Sequence, residues 1–264
     1  MSTNKINCPL EEYNINTVDL DYILNHQNKD DTIQRFYWWP NPRIINSLCK
    51  HLDMNNIRDN IIDVGCGAIP FPKATHLLDF NNNKMPNKVV FKLDLDFERF
   101  PYDDKFFNYA HCRHTLEDIQ NPQWAFNEIT RVCRSGYIET PSPLIELSRG
   151  VDTGEYANKY RGYIHHRYIV WSELSTNTLH FLPKFPIIEY CINDEALKRY
   201  THIANNYPVY WNNYYIWDET RPPNIVVHRN DIDFNIRNIY YRLLNDALLN
   251  SIQYTNFFIE TLSK

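Results

Sequence analysis

The stretch Ile61-Ile62-Asp63-Val64-Gly65-Cys66-Gly67 is a short apolar run closed by two glycines. Such a run reads as a buried strand entering a tight turn. Two further strands are expected just beyond it, at His76-Leu77-Leu78-Asp79 and Val89-Val90-Phe91-Lys92-Leu93, and a fourth from Phe107 to Cys112. Asn121-Pro122 opens a helix that carries Ala125, Ile129 and Val132 on one face, and Gly136 is expected to stop it as a C-terminal glycine. A fifth strand, Tyr137-Ile138-Glu139-Thr140, ends at Pro141-Ser142-Pro143. Strands alternating with helices at this spacing predict an α/β fold: a Rossmann-like, doubly wound, mostly parallel sheet with helices on both faces.

Upstream, Asn41 and Pro42 supply an N-cap and a first-turn proline for a helix bearing Ile44, Ile45, Leu48, Cys49 and Leu52. The residues before it, 1–40, are expected to form an arm or lid, polar at first and ending in the aromatic stretch Arg35-Phe36-Tyr37-Trp38-Trp39-Pro40. Residues 41–264 are then one domain, with a substrate-side insertion near 144–171 that is rich in Tyr, Arg and His. Pro186 to Tyr190 and Tyr210 to Trp217 look like further strands, an edge hairpin after the insertion. A last amphipathic helix carries Ile236, Ile239, Leu243, Leu244 and Leu248.

Composition narrows the class of protein. At 43% hydrophobic and 22% charged, the 264 residues are those of an ordinary globular chain able to build its own core. The net charge of −5 and the lack of a Lys/Arg run argue against nucleic acid as a partner. The six cysteines are scattered with no CxxC spacing, which suits free thiols in a reducing compartment. No apolar run is long enough to span a membrane, and no signal-peptide pattern opens the chain, so a cytoplasmic location is expected. The 19 tyrosines fit either core filling or an aromatic substrate cleft.

The chemistry centres on the glycines. A nucleoside cofactor must approach the backbone closely, and glycines after a buried strand permit both the turn and the approach. Asp79, at the end of the next strand, could accept from ribose hydroxyls or be a solvated strand-end acid. Asp94 and Asp96 follow the third strand with Phe97 beside them, as an adenine site or as surface acids before a turn.

Here the sequence resembles a family. Asp63-Val64-Gly65-Cys66-Gly67 is similar to the first motif of class I S-adenosylmethionine (SAM)-dependent methyltransferases, of the methyltransferase type 11-like kind. The segment Arg99 to Val132, RFPYDDKFFNYAHCRHTLEDIQNPQWAFNEITRV, resembles that family's proline, acidic loop, strand, His-x-Leu-Glu, Asn/Asp-Pro and Glu-Ile-x-Arg-Val series, and GYIETPSP (136–143) continues it. The resemblance implies SAM as cofactor, with Asp63, Gly65, Cys66 and Gly67 forming the loop that meets it. It also implies Asp79 at the ribose, Asp96 and Phe97 at the adenine, and His114 near the transferred methyl. The sequence departs from the family at Ile69, where a third glycine is usual. About a dozen residues separate Gly67 from Asp79, at the short limit for a helical crossover, so the helix there is expected to be short or missing.

An oxygen or nitrogen acceptor is helped by a nearby base, and the candidates are His114, His165, His166 and Glu139. His165 and His166 are read as strand neighbours pointing opposite ways, so one at most would face a substrate. This pair and nearby acids could bind a metal, but their spacing is no recognised ligand signature, and no metal ligand is assigned. Arg149, Arg161 and Arg167 could clamp an anion or sit on the surface. The reading is a methyltransferase acting on a polar small molecule, by O-methylation of a sugar or sugar nucleotide. The alternatives are a nucleic-acid or protein methyltransferase, and a non-catalytic binding or scaffold protein that keeps the SAM fold.

Overall fold

A computed structural model describes residues 37–80, 88–152, 158–191, 198, 202–203, 205–228 and 236–262. Most of the proposed arm, with Arg35 and Phe36, lies outside the described residues.

At the centre lies β1 (Ile61–Val64), buried along its whole length and paired in parallel with β2 (His76–Asp79) on one side and β4 (Phe107–Arg113) on the other. A strand covered on both faces needs apolar side chains throughout, which is why this run does not alternate. β3 (Val89–Lys92) pairs parallel with β2, and β5 (Cys133–Pro141) parallel with β4. β8 (Asn212–Trp217) adds antiparallel to β5, giving the order β3-β2-β1-β4-β5-β8. The mostly parallel, Rossmann-like sheet is therefore as expected, and the residues 210–217 do contribute an edge strand.

Helix α1 (Pro42–Met54) starts where Asn41 accepts from the amides of Arg43 and Ile44, and it buries Ile44, Leu48 and Leu52. Helix α2 (Pro122–Val132) is capped by Asn121 and buries Ala125, Phe126, Ile129 and Val132. It passes directly into β5 at Cys133, which is extended. Gly136 is thus inside β5 and does not terminate the helix. Its role is close approach: a Cβ there would meet the Trp217 ring and lie 2.9 Å from the Ala110 carbonyl oxygen.

A second sheet, which the sequence pattern did not announce, is built from β6 (Tyr168–Glu173), β7 (Thr178–Pro183) and β9 (Asn224–Val227). β6 and β7 form an antiparallel hairpin turning at Asn177 (φ 48°), and β9 runs parallel to β7. Asn177 ties this hairpin to the main sheet: its side-chain amide donates to the carbonyls of Ile216, Arg221 and Pro222, and its oxygen accepts from Tyr254. Residues 186–190 were expected as a strand. They instead precede and enter a one-turn helix, α4 (Ile188–Cys191), after the turn α3 (Pro143–Glu146).

Helix α5 (Ile236–Leu262) packs on β6 and β8. Its buried face runs Tyr240, Leu244, Ala247, Leu248, Ser251, Tyr254 and Phe258, whereas Ile239 is exposed. The aromatic excess is largely core: Tyr137, Tyr210, Tyr214, Tyr215 and Tyr254 are buried. The hydroxyls of Tyr210, Tyr214 and Tyr215 donate to Asn256 Oδ1, the Val209 carbonyl and the Asn177 carbonyl. Among the described residues no helix is long and apolar enough to cross a membrane.

Candidate functional site

The carboxyl ends of β1, β2, β4 and β5 lie at one edge of the sheet, and its strand order reverses between β1 and β4. Ligands bind at such a switch point. Gly65 (φ 68°) and Gly67 (φ 51°) turn the chain there. A Cβ on Gly65 would collide with the Thr115 side chain, 2.8 Å from its Cβ, whereas one on Gly67 would meet nothing within 4 Å. Gly65 therefore seals the β1 turn against the β4 turn, whereas among the described residues nothing stands within 4 Å of the Gly67 Cβ position.

No helix joins β1 to β2. The residues 65–75 form turns, and Asp63 does the work of ordering them. One of its oxygens accepts from the Phe71 amide at 2.6 Å, and the other lies 2.8 Å from His111 Nδ1. The Phe71 ring stacks on His111 at 4.5 Å. Asp63 is 2% exposed, so it shapes the loop from below and does not reach a ligand. Asp79 Oδ2 accepts from the Gly67 amide at 2.8 Å and lies 3.7 Å from Cys66 Sγ. Burial, then the neighbouring carboxylates Asp63 and Asp79, push the Cys66 thiol up to about 12, so it stays protonated and inert at neutral pH. Asp96 accepts from the Asn121 amide at 2.7 Å, ahead of α2, and Phe97 is exposed beside it.

His114 follows β4 in a left-handed conformation (φ 49°), held by its amide donating to the Glu139 carbonyl at 2.8 Å. Non-glycine residues persist in that region only where the surroundings hold them. Its ring lies between two buried carboxyls, 3.5 Å from Glu117 and 3.6 Å from Glu139. Glu139 takes hydrogen bonds from Tyr137 and from Asn212 at 3.0 Å. Burial raises its pKa, but His114, Arg113 and Tyr137 outweigh burial and hold it below the ordinary carboxylate range. Glu117 is equally buried, yet neither of its oxygens receives a hydrogen bond from the described residues. Burial dominates there and raises its pKa, against the opposing influence of His166 and His114.

His165 and His166 lie outside any strand, in the turn before β6. The expectation that they point apart therefore fails: both Nε2 atoms lie 3.8 Å from the same Asp118 Oδ1. His166 Nδ1 is 2.6 Å from Glu146, whose other oxygen accepts from Lys184 at 2.7 Å. Gly162 (φ 58°) lets this loop press onto Glu146, since a Cβ would stand 2.7 Å from Glu146 Cα. Burial lowers the His166 pKa, but Glu146 more than offsets it and the net shift is upward. Glu117 also acts on His166 electrostatically. His114, Glu117, Glu139, Asp118, His165 and His166 thus form one acidic, histidine-bearing edge beside the glycine loop.

Glu146 and Asp118 had not been singled out from sequence. The Ser142-Pro143 cap that opens α3 four residues before Glu146 was the available signal. Arg149, Arg161 and Arg167 are tied inward: Arg149 to Glu189 at 2.9 Å, Arg161 to the Leu147 carbonyl and Arg167 to the Asp118 carbonyl, both at 2.8 Å. The Trp38 and Trp39 rings lie 5.6 Å apart, tilted by 57° and half exposed, and the Trp38 carbonyl accepts from Arg113 at the end of β4.

A mostly parallel sheet with a glycine turn at its switch point is a Rossmann-like arrangement, whose ligands bind at that edge. Within that class, residues 62–138 match the family described as a methyltransferase domain. A SAM-dependent methyltransferase from Mesorhizobium loti is 17% identical over 34% of this chain and 50% of that one, with a TM-score of 0.29. One from Clostridium acetobutylicum is 12% identical over 53% of this chain and 60% of that one, with a TM-score of 0.33. The chain thus spans half the length of the first and 60% of the second. No curated protein matches it. The residues present fit SAM as cofactor: Gly67 has open space where a side chain would stand, and the acids along this edge suit a sulfonium cation.

Proposed function

We propose that this chain transfers a methyl group from SAM to an oxygen of a polar small molecule, with a sugar or sugar nucleotide as the favoured class. The observation that carries the reading is the half-buried His114 ring between the buried carboxyls of Glu117 and Glu139, one residue before Thr115, which packs against the Gly65 turn. Gly65 and Gly67 would meet the methionine and ribose part of the cofactor, with Cys66 in the turn between them and Asp63 bracing the turn. Asp79 would reach the ribose while keeping the Gly67 amide in place, and Asp96 with Phe97 would border the adenine. Bound SAM supplies an already activated methyl on a sulfonium, so positioning provides much of the rate.

His114, His166 and Glu139 would then act on the acceptor. His114 would face the acceptor oxygen, and Glu139 would keep its ring in place. His166, backed by Glu146, can take a proton from a hydroxyl as that oxygen attacks; His165, on the exposed side, would meet the rest of the acceptor. Several uncommitted carboxyl oxygens on this edge support a hydroxyl-rich partner over a phosphate backbone, which the net charge of −5 also disfavours. Residues 41–264 would work as one unit, with 144–171 on the acceptor side. The free thiols at Cys49, Cys66, Cys112 and Cys133 support a reducing, cytoplasmic setting.

Calorimetric titration with SAM and S-adenosylhomocysteine, followed by transfer of labelled methyl to sugars and sugar nucleotides, tests the reading. Saturable binding of both and transfer to a small molecule are expected. Asp79→Ala should weaken SAM by on the order of 1–3 kcal/mol. Absence of binding to either ligand overturns the enzyme reading; transfer only to a polymer overturns the acceptor class.

A further inference from the structure

Asp118, His165 and His166 are a group of three metal-capable side chains whose ligand atoms all lie within 4.8 Å of one another. Two backbone-directed bonds hold the histidine turn to the loop after β4. The Arg167 amide donates to the Glu117 carbonyl and Arg167 Nε to the Asp118 carbonyl, each at 2.8 Å. His166 Nδ1 lies 2.6 Å from Glu146, which leaves Nε2 turned towards Asp118. Asp118 Oδ1 is buried and takes no hydrogen bond from the described residues. Both His166 Nε2 and His165 Nε2 face it across 3.8 Å, beyond hydrogen-bond distance. Glu117, 1% exposed and with neither oxygen hydrogen-bonded, adds negative charge alongside.

The geometry points to a binding site for a divalent first-row transition metal ion, held by Asp118 Oδ1, His165 Nε2 and His166 Nε2. Ligands about 2.0–2.2 Å from one ion stand roughly 3–3.6 Å apart, slightly closer than here. His165 packs edge-on against the His166 ring at 4.4 Å, and its side chain is 63% exposed, which leaves it room to swing in. Two imidazoles and a carboxylate favour zinc, manganese or cobalt over magnesium and calcium. Glu146 is the outer carboxylate that fixes the His166 ring, the usual partner of a metal-bound histidine. Three protein ligands leave positions open for water or for the oxygens of a bound molecule. Asp118 follows Glu117, which touches His114, so the ion would lie on the acceptor side. With the ion held, His166 is a ligand in place of a base, and His114 is left to take the acceptor proton. That the ion holds acceptor hydroxyls rests on the methyltransferase reading; that it binds does not.

Chelator-treated protein titrated with Zn²⁺ and Mn²⁺ in a calorimeter, with Mg²⁺ as comparator, tests the site. One Zn²⁺ or Mn²⁺ per chain is expected. His165→Ala and Asp118→Asn, both at partly exposed positions, should bind about tenfold more weakly or worse, with unchanged circular dichroism and S-adenosylhomocysteine affinity. No saturable binding, or variants that bind as tightly as the parent, overturns the site. Metal binding without S-adenosylhomocysteine binding sustains the ion site and overturns the methyltransferase reading; the converse sustains the methyltransferase reading and overturns the ion site.

Discussion

Gly65 and Gly67 are two residues apart, share a positive φ, and do different things. Gly65 has Thr115 against it, so a methyl group there meets both backbone strain and a collision. Gly67 has open space, so a methyl group meets strain alone. Gly65→Ala should therefore destabilise the fold by about 2–3 kcal/mol and Gly67→Ala by about 1 kcal/mol, measured by urea denaturation. The order should invert for the cofactor: per unit of lost stability, Gly67→Ala costs more SAM affinity, because its Cβ enters the surface a cofactor would cover. Equal affinity in Gly67→Ala and the parent would remove Gly67 from the site. Both glycines were legible in the sequence as a turn. Their division of labour was not, because it depends on Thr115, fifty residues away.

At the scale of elements, the Glu-Ile-x-Arg-Val pattern of α2 turns out to be a brace. Glu128 accepts from Arg131 at 2.7 Å and from the Phe100 amide at 2.8 Å, while Arg131 donates to the carbonyls of Phe100 and Tyr102 and to Asp104. The pair fastens the acidic loop 99–104 to α2 ahead of β4. The Arg131 hydrogen bond lowers the Glu128 pKa against the opposing effect of burial. With the folded pKa below the unfolded one, this stabilisation is full above the ordinary carboxylate range and lost as pH falls through the folded value. Glu128→Gln should cost about 1.5–3 kcal/mol at pH 7, and less at pH 3, by urea midpoints at the two pH values. Five strands and two helices of this half could be placed from apolar runs and Asn-Pro caps alone. The hairpin β6–β7 and strand β9 were not placed: β9 is short and half-exposed, and β6 and β7, though buried at their centres, follow the polar insertion and owe that burial to packing on α5 and the main sheet.

For the whole molecule, the small sheet carries an acid-sensitive stack. His180 and His228 both lie flat on Trp171, at 4.8 and 5.3 Å, and their rings meet at 3.2 Å. Burial, and then His180, lower His228 to about 4, and burial lowers His180 as well. Both rings are thus neutral in the folded chain, whereas the unfolded chain takes up protons near the ordinary histidine value of about 6.5. Below that value the unfolded state binds more protons, so stability declines from about pH 6.5 to about pH 4 and levels off beneath. Denaturation midpoints of the parent and of His228→Gln across this window test it: the variant should show a shallower decline, and parallel curves would count against the stack.

The sequence alone determined the parallel α/β architecture, the glycine turn after the central strand and the missing crossover helix. Each is a local property: apolar run length, two glycines, and too few residues between Gly67 and Asp79 for a helix. Tertiary structure alone decided what surrounds that turn. Asp63 is a loop brace because His111 and Phe71 reach it, and Gly136 is a packing notch because Trp217 fills the space above it. His165 and His166 converge on Asp118 because the turn that carries them is no strand. These are contacts across tens of residues, and spacing along the chain holds no record of them.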